Sequence, residues 1–213
     1  CNNLPAIASV VGDAGSAFYV PSQALRLKEG QRWITPGAQA EMGFTLPATI
    51  GSQVGSPEAT VVGITGEGSF QFNIQELQTI KHYNLPIKLF VWNNGGYLSI
   101  KATQDKFFGG DYIGVNVESG VSFPNIKKIA VAYDIPYTVI ETNGDCETEI
   151  QNCIDIDGPV LCEVICDETQ KVLPTLSSYK QADGSIIGRP LEDMDPLLSR
   201  KEFYDNMIIK PIL

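Results

Sequence analysis

Residues 61–100 carry two glycine turns of the same kind, and together they leave few folds open to the chain. Val61, Val62 and Ile64 form a short β-branched apolar run, the pattern of a strand buried on both faces. Gly66-Glu67-Gly68-Ser69 follows at once. Glycine there lets the backbone turn sharply and bring its N–H groups close to a ligand. Phe70, Ile74, Leu77 and Ile80 then recur at steps of four, three and three, which is one face of a helix. Pro86 closes that segment. Ile87, Leu89, Phe90 and Val91 make a second buried strand, which runs into Trp92-Asn93-Asn94-Gly95-Gly96. In such an α/β unit the carboxyl ends of parallel strands form the ligand crevice.

The two strand ends carry a carboxylate, Glu67, and a carboxamide, Asn94. Both are oxygen ligands for a hard cation, and Mg²⁺ usually combines a few protein groups with phosphate oxygens. The helix after Ser69 points its N-terminus at the same place, which suits a diphosphate. These residues suggest a Mg²⁺–diphosphate site at adjacent strand ends. A generic strand-turn-helix accounts for Gly-x-Gly alone, but not for the paired Gly-Glu-Gly-Ser and Asn-Asn. A dinucleotide-binding dehydrogenase turn needs a third glycine. This chain continues Ser69-Phe70-Gln71 instead. A non-catalytic interaction domain, binding neither metal nor diphosphate, is the other alternative.

The 213 residues suit one large α/β domain. With 25 acidic and 15 basic residues the net charge is −10, so nucleic acid and anionic membranes are poor partners. A diphosphate ligand in so acidic a chain calls for a cation. No apolar run approaches a membrane span, and no secretory signal opens the chain. Five cysteines, an odd number in a chain of this size, argue against a disulfide framework and for a reducing cytoplasm. Cys162 and Cys166 read as buried thiols on one strand face. The sole histidine, His82, reads as a surface or capping residue.

The rest of the chain alternates strands and helices, which predicts a three-layer α/β/α fold around a mainly parallel sheet of about six strands. Strands are expected at 8–11, 32–35, 137–140 and 160–166. Helices are expected at 17–25, from the Pro36–Phe44 loop to about Gln53, at 124–133 and at 146–154, the last capped by Asp145. Residues 95–120 show little periodicity and are expected to form a flexible lid. The chain is expected to divide into a domain at 1–166 and a tail at 167–213 that packs on it, with a charged helix near Arg200–Met207.

The central stretch resembles the thiamine-diphosphate signature, Gly-Asp-Gly followed after one helix and one strand by Asn-Asn. GSFQFNIQELQTI and LPIKLFVWNN resemble acetolactate synthases, whereas NNGGYLSI is more similar to pyruvate decarboxylases. The family's usual Asp is Glu67 here. GDAGSAF (12–18) resembles the decarboxylase segment that contacts the cofactor diphosphate; acetolactate synthases carry Gln-His-Gln there. AEMGFTLPATIG (40–51) resembles the segment preceding the Gly-Asp-Gly motif. VLPTL (172–176) resembles the acetolactate synthase carboxyl end, and GRPLEDMDPLLSRKEF (188–203) departs from it.

That resemblance implies thiamine diphosphate and Mg²⁺ as cofactors, with FAD only in a middle domain absent from this chain. It implies Glu67, Asn94 and the Gly96 carbonyl as metal ligands. Ala14, Gly15, Ser16, Gly66, Gly68, Ser69, Tyr97 and Leu98 become candidate cofactor contacts, Gly68 and Ser69 through backbone and hydroxyl. Met42 becomes the residue wedged beneath the bent cofactor, and the Ala40 carbonyl accepts from its aminopyrimidine; read without the resemblance, Met42 is a core residue. The implied reaction is decarboxylation of a 2-keto acid such as pyruvate and ligation of its two-carbon unit to a carbonyl acceptor. A simple decarboxylase, or a carboligase using a keto-sugar acceptor, is the alternative. Ile100 stands where decarboxylases place a glutamate, which argues for carboligation. The activating glutamate belongs to a pyrimidine domain that these residues do not contain. The chain is therefore expected to be a fragment or separate subunit, self-associating and inactive alone.

Overall fold

A computed structural model describes residues 1–210; the last three residues of the expected tail, 211–213, lie outside them. Six strands build one sheet: β1 (Ala8–Gly12), β2 (Gln31–Ile34), β3 (Thr60–Gly66), β4 (Lys88–Asn93), β5 (Tyr137–Ile140) and β6 (Val160–Ile165). Their order is β2-β1-β3-β4-β6-β5, and every neighbouring pair is parallel. The expected mainly parallel sheet is thus wholly parallel.

Side chains alternate between the two faces of a strand. Val11, Val61, Leu89, Val91 and Leu161 enter one core, and Val10, Val62, Phe90, Val160 and Cys162 enter the other. The first core is covered by α2 (Thr45–Gly55), α4 (Glu76–His82) and α6 (Ile126–Ala132) through Leu46, Leu77, Ile80, Ile126 and Ile129. On the second face lies α7 (Cys146–Asp155), which contributes Cys153 and Ile150. All five cysteines are free, and Cys153 and Cys162 are buried. Lys88 is buried at the start of β4, where its ammonium donates to the carbonyls of Ile156 and Gly158, the latter at 2.8 Å. Burial pushes that ammonium below the usual lysine value, and the nearby Asp157 and Asp155 carboxylates oppose the shift.

Three expectations need correction. The helix read from Phe70 onward is broken into α3 (Glu67–Phe70), a 3₁₀ turn (Gln71–Asn73) and α4. At the break Asn73 turns its amide to the Gly43 carbonyl, 2.8 Å away. Leu98–Phe108, read as aperiodic lid, is a helix, α5, ended by Gly109 in the left-handed conformation (φ 66°). None of its residues is buried, so it carries no apolar period to read. Asp145 precedes α7 without capping it, because its carboxylate takes the Thr142 hydroxyl at 2.6 Å instead. His82 is exposed and stacks edge-on against Tyr83.

The chain divides into two compact units, Cys1–Gln170 and Lys171–Leu213. The second unit pairs β7 (Ser178–Lys180) with β8 (Ile186–Gly188) in an antiparallel hairpin and ends in α8 (Arg200–Asn206). Its centre is Asp193, buried and bonded to Arg189 and Arg200. Hydrogen bonds from Arg200 hold that carboxyl below the usual carboxylate range. Among the described residues no helix is long and apolar enough to cross a membrane.

Gly63 sets how closely α2 approaches the sheet. A Cβ there would lie 2.7 Å from Leu89 Cδ2, 2.9 Å from Thr49 Cγ2 and 3.0 Å from Thr45 Cγ2. Both threonines belong to α2, and Thr45 also donates to the Ile64 carbonyl at 3.0 Å. Gly63→Ala is therefore expected to lower unfolding free energy by about 1–3 kcal/mol through overpacking. Urea denaturation reads this directly; an unchanged midpoint and slope would mean that α2 is free to back away.

Candidate functional site

The strand order reverses between β1 and β3: β2 lies outward from β1 on one side, and β4 outward from β3 on the other. A crevice outside the carboxyl ends of the strands opens at such a point. Ala14, Gly15 and Ser16 follow β1. Ala40 and Met42 follow β2. Gly66 ends β3, with Glu67, Gly68 and Ser69 after it. Asn94, Gly96, Tyr97 and Leu98 follow β4. Because β2, β1, β3 and β4 are consecutive neighbours, every candidate falls along one edge of one sheet.

Glu67 binds the third and fourth of these strand ends together. It is 2% exposed, and its Oε1 accepts from the Gly96 amide at 2.8 Å and the Asn94 amide at 3.3 Å. Burial pushes its carboxyl above the usual glutamate value, while backbone N–H groups pull the other way. Beside it, Asn94 Oδ1 is buried and has no hydrogen-bond partner among the described residues. A buried carbonyl oxygen without a donor costs about 1–3 kcal/mol, and a cation removes that cost. Among the described residues no three His, Cys, Asp or Glu side chains converge on a metal position. A cation here would rest on one carboxylate, one carboxamide and a backbone carbonyl, leaving the other positions to ligand oxygens.

Close backbone approaches explain the glycines. A Cβ on Gly96 would lie 2.3 Å from the Val115 carbonyl oxygen. One on Gly68 would lie 2.3 Å from Tyr97 Cε1, so the tyrosine ring sits directly against that turn. Tyr97 also donates its amide to Val115 at 2.8 Å and packs edge-on against Phe123. Gly15 (φ 57°) caps α1 (Ser16–Ala24) without a side-chain hydrogen bond, and a Cβ there would reach within 3.3 Å of Ser99 Oγ. The β1 and β4 ends thus meet across the β3 turn. A recess next to Asn94 is lined by Gly96, Tyr97, Lys101, Val115 and Glu168, with Lys101 and Glu168 paired at 3.5 Å.

Two sets of residues escape sequence reading. Asp13, fully buried, accepts from Thr65 Oγ1 at 2.9 Å, Ser69 Oγ at 2.6 Å and the Ala14 amide at 2.7 Å. Ser69 Oγ in turn accepts from the Gly43 amide at 2.7 Å. The hydroxyl expected to meet a diphosphate is thus already bonded on both sides, which leaves that turn its backbone amides. In the sequence Asp13 stands only within GDAGSAF; an acid directly after a short buried strand is the available signal. In the second set, Glu163 on β6 accepts from Asn93 Nδ2 and the Tyr137 hydroxyl, each at 2.6 Å. Asn93 Oδ1 then accepts from the Gly95 amide at 3.2 Å, which shapes the turn carrying Asn94. Burial and the Glu163 hydrogen bond both push the Tyr137 hydroxyl far above its usual value. Burial, with a smaller contribution from the Glu67 carboxylate, raises the Cys166 thiol to about 11.

The chain is 36% identical over 161 residues to the chloroplastic acetolactate synthase of Arabidopsis thaliana, covering 74% of this chain and 24% of that protein. It is 32% identical over 187 residues to the acetolactate synthase large subunit of Pyropia yezoensis, covering 88% of this chain and 31% of that one. The chain therefore spans about a quarter to a third of the length of these relatives. Among solved structures it is similar to the thiamine diphosphate-dependent 4-hydroxybenzoylformate decarboxylase of Rhodococcus jostii RHA1, with TM-score 0.68 and 25% identity. That likeness covers 78% of this chain and 31% of that one. The family model "Thiamine pyrophosphate enzyme, C-terminal TPP binding domain" matches residues 13–164, and the chain belongs to that family of thiamine diphosphate-dependent enzymes.

Proposed function

We propose that this chain supplies the diphosphate and Mg²⁺ half of an acetolactate synthase-like active site. The whole enzyme decarboxylates a 2-keto acid such as pyruvate and ligates the two-carbon unit to a carbonyl acceptor. The observation that carries the reading is Asn94 Oδ1, buried without a donor beside the buried Glu67 carboxylate at the switch point of the sheet. Glu67, Asn94 and the Gly96 carbonyl hold the metal. The amides of Gly68 and Ser69 and the uncapped start of α1 at Ser16 face the diphosphate. Ala40, whose φ is 53°, presents its carbonyl to the aminopyrimidine, and Met42 supports the bend between the rings. Tyr97 and Leu98 wall the crevice after β4. Bound thiamine diphosphate supplies the nucleophilic carbon for the keto acid; the protein orients it and balances its charge.

Three features bear on the reaction and its partners. Ile100 in α5 offers no acid for the proton transfer that must precede aldehyde release, which favours ligation. The GDAGSAF turn and the likeness to a decarboxylase structure favour the second reading, simple 2-keto acid decarboxylation. Product analysis of the assembled enzyme separates acetolactate from acetaldehyde. Ile100, Phe108, Ile113 and Val117 are exposed apolar residues on α5 and the segment after it. We assign that face to the pyrimidine domain of a neighbouring subunit, which also implies a homo-oligomer.

Glu67→Ala and Asn94→Ala are each expected to weaken thiamine diphosphate binding in Mg²⁺ by on the order of tenfold or more. Calorimetry measures this; unchanged affinity in both variants would remove them from the site. The isolated chain is further expected to turn over pyruvate at least about a hundredfold more slowly than the enzyme completed with a pyrimidine domain. That domain supplies the acid–base group that activates the cofactor. Comparable rates for the two preparations would contradict the division of labour.

A further inference from the structure

We propose that Asp13 and Ser69 are positioning residues for the loop 40–43, and that the Ser69 hydroxyl sets the cofactor's ring geometry rather than ligating its diphosphate. A hydroxyl has one proton to give and two lone pairs. The Ser69 proton goes to Asp13 Oδ2 at 2.6 Å, a charge-assisted hydrogen bond with both residues buried. A lone pair takes the Gly43 amide at 2.7 Å. Diphosphate oxygens only accept, so they need a proton that Asp13 already holds. Pulling the hydroxyl away would leave a fully buried carboxylate short of a donor and the Gly43 amide unpaired. The Asp13 negative charge directly behind the hydroxyl also opposes an anion at that position.

The other end of the relay explains what it does. Gly43 is fixed from both sides, its amide by Ser69 and its carbonyl by Asn73 Nδ2 at 2.8 Å. Its φ of 86° and the clash that a side chain would make with Phe72 admit only glycine at this position. Met42 stands immediately before it and Ala40 three positions before it, and Ala40 holds a positive φ that a non-glycine residue adopts only at a cost. The relay therefore runs from the β1 end, through the β3 turn, into the loop after β2. Thr65 Oγ1, the second hydroxyl on Asp13 Oδ2, anchors the acid to β3. This inference rests on the assignment of Ala40 and Met42 to the cofactor's rings.

The test compares two ligands of this chain by calorimetry in saturating Mg²⁺: thiamine diphosphate, and inorganic diphosphate, which has no rings. Ser69→Ala is expected to weaken thiamine diphosphate about three- to tenfold, the loss of one hydrogen bond's positioning, while inorganic diphosphate stays within about twofold. Hydrogen exchange of residues 40–43 in ligand-free Ser69→Ala is expected to quicken relative to the rest of the sheet edge. Equal weakening of both ligands would overturn the proposal by making the hydroxyl a diphosphate ligand. So would two unchanged affinities, or unchanged exchange at 40–43. Failure of the unsubstituted chain to bind either ligand would overturn the cofactor reading itself, and this inference with it.

Discussion

The buried carboxylate of Glu67 is the interaction on which the site depends. By accepting the amides of Gly96 and Asn94, it makes the turn after β3 and the loop after β4 a single object. Tyr97 can then lie against Gly68, and Gly96 against the Val115 carbonyl. The cost is a carboxylate 2% exposed with no cationic side chain bonded to it among the described residues, and burial raises its proton affinity accordingly. A cation held there would offset that cost and give Asn94 Oδ1 a partner at the same time. Glutamate reaches both amides from the first residue after β3.

A second buried acid, Asp13, does for the first three strand ends what Glu67 does for the last two. Its three donors come from the β1 turn, from β3 and from the turn after β3, and Ser69 carries the connection on to the β2 loop. Glu163 adds a third brace from β6 and β5 through Asn93 and Tyr137. Removing one partner from such a buried set leaves the others unsatisfied, which costs more than the bond contributes. The parallel register of β2, β1, β3 and β4 brings these braces within reach of one another.

Much of this was legible in residue order. Short apolar runs that lead into a glycine turn mark buried strands, and Glu67 and Asn94 stand out because each stands just past such a run. What was not legible depends on distance across the sheet. Whether the Ser69 hydroxyl faces a ligand or Asp13, fifty-six positions earlier, is decided by the pairing of β1 with β3. Asn93 and Glu163 meet only because β4 and β6 are neighbours, which local periodicity does not encode. The helix α5 escaped for the opposite reason: it buries nothing, so its only markers were the glycine stop at Gly109 and helix-compatible residues. The break between α3 and α4 came from Asn73 reaching Gly43, a tertiary contact that overrides a continuous apolar period.

The central claim, that Glu67 and Asn94 form a metal position completed by diphosphate oxygens, is tested most directly by titrating this chain with Mg²⁺ in the presence and absence of thiamine diphosphate. Binding linkage is reciprocal, so each ligand must tighten the other by the same factor. The structure predicts weak binding of either ligand alone and strong mutual enhancement. Tight, metal-independent binding of thiamine diphosphate would contradict it, as would Mg²⁺ affinity indifferent to the cofactor.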